Sequence, residues 1–116
     1  MHVFVTGATG YIGSRLIPQL VARGHRVSAL TRQASVQRLA PVCRVVVGDA
    51  LDASSYVSQV GAVDALVHLV GVAHPSPAKA TAFRQVDLAS LQAAVAAACR
   101  AEVRHFCTMA LPAAGF

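Results

Sequence analysis

The sequence predicts an α/β fold, an open parallel sheet of about five strands in the order 3-2-1-4-5 with helices on both faces, incomplete at its C-terminal end. Three observations carry this expectation. The apolar run Val3-Phe4-Val5 breaks into Gly7, Gly10 and Gly13, and apolar residues then recur at helical spacing, Ile12, Leu16, Leu20 and Ile17, Val21. Further short apolar runs, many of them β-branched, alternate with helical patterns down the chain, as βαβ units do. Hydrophobic residues make up 55% of the chain and charged residues 13%, which suits a sheet covered on both faces by alanine-rich helices.

The first strand, Val3-Phe4-Val5, leads into Thr6-Gly7-Ala8-Thr9-Gly10-Tyr11-Ile12-Gly13. Each glycine has its own physical reason. Gly7 allows a tight turn out of the strand, Gly10 lets a pyrophosphate approach the backbone at the positive end of a helix, and Gly13 lets that helix lie close on the strand. The candidate nucleotide-binding residues here are Gly7, Ala8, Thr9, Gly10, Tyr11, Ile12 and Gly13. A phosphate loop of the nucleoside triphosphatase kind is excluded, because it needs a lysine after its last glycine and the only lysine is Lys79.

This stretch resembles the Thr-Gly-x-x-Gly-x-x-Gly form of the short-chain dehydrogenase/reductase superfamily in its extended and atypical branches. Those include the NAD-dependent epimerase/dehydratases and the NmrA-like NADP sensors. The resemblance implies a Rossmann-like domain that binds a nicotinamide dinucleotide.

The first helix is expected from about Gly10 to Arg23, with Gly24 as its left-handed stop and a kink at Pro18. The second strand, Arg26–Thr31, ends at Arg32. A carboxylate at such a strand end takes the ribose hydroxyls of NAD, whereas an arginine accommodates the 2′-phosphate of NADP. Thr31-Arg32-Gln33 has no carboxylate, so NADP is favoured and NAD stays open.

A short helix fits Ser35 to Leu39, with Ser35 as its cap and Val36 and Leu39 facing inward. The third strand, Arg44 to Gly48, ends at Asp49. In the resembled family an aspartate and an apolar residue at this place sit by the adenine, and Asp49-Ala50-Leu51 matches. Asp49 fits equally well as a cap for the turn that follows. Asp52 is the better cap for a helix from Ala53 to Val60, closed by Gly61.

The fourth strand, Asp64 to Val70, leads to Gly71, and Leu69, Val70 and Gly71 at its carboxyl end should line the cofactor groove. His68 lies inside this apolar strand, where a histidine is packed and hydrogen-bonded more often than reactive. The loop from Val72 to Lys79 carries His74, Pro75 and Pro77. His74 and Lys79 could meet a substrate, and an ordinary exposed loop explains them as well. A long helix follows from about Pro77 to Arg100, with Phe83, Val86, Leu91, Ala94, Val95 and Ala98 as its expected buried face. Asp87 falls near the place where many members of the resembled family carry an asparagine that holds the catalytic arrangement. Glu102 stands where such helices close on glycine. The fifth strand runs from Val103 to Met109. In the resembled family it ends in a serine; here that place falls at Ala110 or close to it, with Thr108 the only hydroxyl nearby, and the tail to Phe116 departs from the family pattern.

Chemistry is as informative where it is missing. The superfamily's reductases use Tyr-x-x-x-Lys, in which the lysine lowers the pKa of the tyrosine. Tyr11 is followed at the fourth place by Arg15 and Tyr56 by Val60, so no catalytic residue is assigned. The five histidines show no metal-ligand spacing. The net charge of +5 comes from arginines scattered from Arg15 to Arg104, with no stripe and few aromatics, which argues against nucleic acid. Three cysteines without a Cys-x-x-Cys pair suit a reducing compartment. No run of about 18 uncharged apolar residues exists, so a cytoplasmic protein without a membrane span is expected. At 116 residues the chain reads as a single domain, truncated relative to the family.

The expected function is therefore the NAD(P)-binding module of an atypical short-chain dehydrogenase/reductase-like oxidoreductase, its small-molecule substrate unknown. Two alternatives stay open: a non-catalytic NADP redox sensor or assembly protein, and a truncated product without a function of its own, able to self-associate through an exposed sheet edge.

Overall fold

The computed structural model describes residues 1–39, 43–70 and 80–108, with side chains of the last segment from Gln85 onward. The chain forms β1 (His2–Thr6), α1 (Tyr11–Ala22), β2 (Arg26–Thr31), β3 (Arg44–Val47), β4 (Ala65–His68), α2 (Ala80–Arg100) and β5 (His105–Thr108), with short 3₁₀ turns between them. The strands make one parallel sheet in the order β3-β2-β1-β4-β5. This is the predicted order, with β1 at the centre. Both neighbours of β1 are also apolar, and the three strands bury almost every side chain, as strands covered on both faces must.

Alternation along β1 divides the core in two. Phe4 points to one face and joins Leu30, Val46, Tyr56, Val60, Val63 and Leu66 under the small residues Ala94, Ala97 and Ala98 of α2. Val3 and Val5 point to the other, where they meet Val27, Ala29 and Ile17 of α1. The ring of Tyr56 stacks on Phe4 with centroids 5.7 Å apart and an angle of 14° between planes.

α1 is continuous through Pro18, which lies on the exposed side. Its end closes as expected: Gly24, at φ +87°, donates to the carbonyl of Val21, and His25 donates to that of Leu20. The same pair of bonds ends α2, from Glu102 to Cys99 and from Val103 to Ala98, although the left-handed position there is a glutamate at φ 56°.

Three expectations are corrected. The segment after Asp52 is not one helix but two 3₁₀ turns, Ala53–Ser55 and Val57–Gln59, hinged at Tyr56 (φ −140°), whose ring is drawn into the core. Ser35 does not cap a helix. It sits inside a 3₁₀ turn, Gln33–Arg38, that starts directly after Arg32. The buried face of α2 is Ser90, Ala93, Ala94, Ala97 and Ala98, while Val86 and Val95 are 40% and 42% exposed. Small side chains let the helix approach the sheet closely, so the alanine face wins over the valines. Phe83 and the loop expected at Val72 to Lys79 lie outside the described side chains.

Candidate functional site

The site starts at the carboxyl end of β1. Gly7 has φ +69°, and a Cβ there would lie 2.5 Å from the carbonyl carbon of Leu69, so the backbone at the end of β4 presses against it. A Cβ on Gly13 would lie 2.6 Å from the carbonyl oxygen of Gly7, which is the close helix-on-turn packing expected of the third glycine. Gly10 differs. Its backbone is extended, and an added Cβ would meet only the Gly7 carbonyl oxygen, at 3.4 Å. Two glycines are thus demanded by the protein's own packing and the third is not, which leaves room in front of Gly10. No side chain caps the first turn of α1 there, so that turn offers backbone donors and the positive end of the helix dipole.

In front of the turn lies a cleft of about 230 Å³, lined by Gly7, Ala8, Thr9, Leu30, Thr31, Arg32, Ser35, Gly48, Ala50 and Val70. Of the residues expected from sequence, it brings together Gly7, Ala8, Thr9, Arg32, Ala50 and Val70. Gly10, Tyr11, Ile12, Gly13, Asp49, Leu51 and Leu69 do not line it, and Gly71 lies outside the described residues. Tyr11 is exposed, with the Arg15 guanidinium 3.6 Å above its ring, and Ile12 is 40% exposed. Asp49 closes the turn beside the cleft: its carboxylate accepts from the Leu51 amide at 2.9 Å, and its own amide donates to Ser55 Oγ at 2.9 Å. Asp52 caps the next turn, accepting from the Ser54 amide at 3.0 Å. Among the described residues, the lining carries one charge, Arg32, and no carboxylate. Sequence reasoning missed Leu30, Ser35 and Gly48 as lining. A 3₁₀ turn beginning at Gln33 was the missing signal for Ser35.

A family model described as NAD(P)H-binding matches residues 7–115. The chain belongs to the NAD(P)H-binding family. Over 70 residues, 59% of its length, this NAD(P)H-binding chain is 51% identical to the 3-diazoavenalumate denitrifying reductase of a Streptomyces species, covering 22% of that protein. Its fold is that of UDP-glucose 4-epimerase from Thermotoga maritima, with a TM-score of 0.80 at 18% identity over 93% of this chain and 37% of that one. It is also similar to a short-chain dehydrogenase/reductase superfamily protein from Agrobacterium tumefaciens solved with bound NAD, with a TM-score of 0.72 at 24% identity over 93% and 32% of the two chains. The family model bears out the expected NAD(P)H-binding family, and the likeness to the two structures bears out the Rossmann-like fold. The chain spans about a fifth of the curated relative's length and about a third of the two structures'.

Beneath the glycine turn of this NAD(P)H-binding domain, His68 is buried between strand and helix. Its Nδ1 is hydrogen-bonded to Thr6 Oγ1 at 2.7 Å and its Nε2 lies 3.4 Å from Ser90 Oγ. Ser90 Oγ donates to the Asp87 carbonyl at 2.9 Å. With that hydrogen committed, the network is satisfied by a neutral imidazole protonated at Nε2, which donates to Ser90 while Nδ1 accepts from Thr6. Burial pushes the His68 pKa below the ordinary imidazole value of 6.5, against a smaller opposing pull from Asp87. The histidine is a packed, hydrogen-bonded strand residue. Asp87 holds one buried carboxylate oxygen without a partner among the described residues. Among the described residues no group of histidine, cysteine and carboxylate side chains is placed to hold a metal ion, and no helix is long and apolar enough to cross a membrane.

Proposed function

We propose that this chain is the nucleotide-binding module of an atypical oxidoreductase of the short-chain dehydrogenase/reductase kind, epimerase/dehydratase-like, with NADP(H) favoured over NAD(H). The observation that carries the reading is the cleft in front of Gly7-Ala8-Thr9, where Arg32 is the single charged lining residue among the described residues. A dinucleotide fits these residues. The glycine turn would take the diphosphate on backbone amides, Arg32 would neutralise a 2′-phosphate, and no side chain of the described residues lies within 4 Å of a Cβ added at Gly10. When bound, the nicotinamide supplies or accepts hydride. The chain's own residues bind and orient it and keep one wall of the cleft apolar through Leu30, Ala50 and Val70.

Calorimetric titration with NADPH and NADH is the test. Tighter binding of NADPH, lost on Arg32→Gln while NADH is unaffected, supports the reading; equal affinities unchanged by that substitution overturn the NADP preference. A second reading, a sensor of the NADP redox state, is separated from the first by the same titration. It requires NADP⁺ and NADPH to differ in affinity by at least about tenfold, since a sensor responds only to differential binding.

A further inference from the structure

We propose that Ser35 is a second determinant of cofactor choice, donating its hydroxyl to the 2′-phosphomonoester that Arg32 neutralises. This rests on the dinucleotide reading above and adds a residue to it. Arg32 ends the extended segment after β2, and the 3₁₀ turn Gln33–Arg38 begins at the next residue. The Ser35 amide donates to the Arg32 carbonyl at 3.0 Å. That bond draws the backbone of residues 32 and 35 together, and both residues line the cleft.

Their chemistry is complementary. The guanidinium supplies charge, and the hydroxyl supplies a neutral donor on a short side chain with little freedom to lose. Of the three lining hydroxyls, that of Thr31 already donates to the Arg32 carbonyl at 3.2 Å; those of Thr9 and Ser35 have no hydrogen-bond partner among the described residues, and Ser35 is the one within three residues of Arg32. The residue is half-buried at the cleft wall. Among the described residues no lining carboxylate repels a dianion or competes for the ribose hydroxyls that NAD offers. An arginine alone would attract any phosphate. An arginine and a hydroxyl one 3₁₀ turn apart fix where a phosphomonoester must sit.

The experiment is calorimetry of the intact chain and its Ser35→Ala, Ser35→Thr and Ser35→Asp variants with NADPH, NADH, adenosine 2′,5′-bisphosphate and AMP. Loss of one hydrogen bond to a charged group predicts that Ser35→Ala weakens NADPH and the bisphosphate about tenfold and NADH and AMP by less than about threefold. Ser35→Thr keeps the hydroxyl and the NADPH affinity. Ser35→Asp places an anion against the phosphate and shifts preference toward NADH. Loss of both dinucleotides to the same degree in Ser35→Ala, or no loss of either, overturns the proposal and leaves the nucleotide site standing. If the wild-type chain binds neither dinucleotide, the nucleotide reading itself fails and this assignment with it.

Discussion

A methyl group separates the glycines of the first turn by role. At Gly7 it would be driven to 2.5 Å from the carbonyl carbon of Leu69, in a backbone conformation that side chains avoid, so Gly7→Ala is expected to cost about 3 kcal/mol of stability. At Gly10 the same methyl makes one contact at 3.4 Å. Gly10→Ala should leave stability within about 0.5 kcal/mol of wild type and weaken NADPH at least about tenfold, since only a ligand needs that space. Urea denaturation and calorimetry on the two variants separate the roles. Tyr56 is the opposite case, a residue whose weight no local pattern announced. Its ring is fully buried on Phe4, from another part of the chain, and its hydroxyl has no partner among the described residues. Burial, with Asp49 and Asp52 adding repulsion, pushes its pKa up to about 12. Tyr56→Phe removes the orphan and should raise the urea midpoint, by about 1 kcal/mol of stability with an unchanged slope. The glycines were legible because each answers a backbone constraint at fixed spacing. Tyr56 was not, because its partner lies 52 residues away in sequence.

Elements end, as they begin, on local chemistry. α1 and α2 close on the same two backbone bonds, but α1 uses Gly24 and α2 uses Glu102 at φ 56°. A left-handed glutamate costs roughly 1–2 kcal/mol, and its charge sits at the negative end of the helix dipole. Part of that is returned as reduced freedom of the unfolded chain, so Glu102→Gly should stabilise the fold by about 1 kcal/mol, read as a higher thermal midpoint. The sequence showed the position and its unsuitable residue, because a helix stop depends on a few neighbours. Which side of α2 faces the sheet was harder. Val86 and Val95 are the larger apolar groups, yet Ala93, Ala94, Ala97 and Ala98 are buried, because the distance between helix and sheet selects small residues. Apolarity could be read from the pattern; that distance could not. The same limit hid the 3₁₀ turn that sets Ser35 beside Arg32.

At the scale of the molecule, one polar chain ties the centre of the sheet to the helix over it: Thr6 on β1, His68 on β4, Ser90 and Asp87 on α2. Thr6 and His68 are register partners, so strand order and hydrogen bond specify each other. The network is satisfied by a neutral imidazole, and burial holds the folded-state pKa of His68 below 6.5. In the unfolded chain the ring takes a proton near that value, so on acidification the unfolded state binds protons first. Stability is therefore full above about pH 6.5 and is lost as pH falls from there toward the depressed folded pKa, with a slope of at most about 1.4 kcal/mol per pH unit from this group. His2 at the opposite end of β1 contributes in the same sense, since burial and then Arg26 lower its pKa, but it is only partly buried and hydrogen-bonds to Ser28 near the surface. Urea denaturation between pH 8 and pH 5 should thus show an acid limb in the wild type that is shallower, without vanishing, in His68→Gln. An unchanged limb in that variant would mean that the imidazole between Thr6 and Ser90 is already able to charge in the folded state, and that the three elements are held together by packing alone.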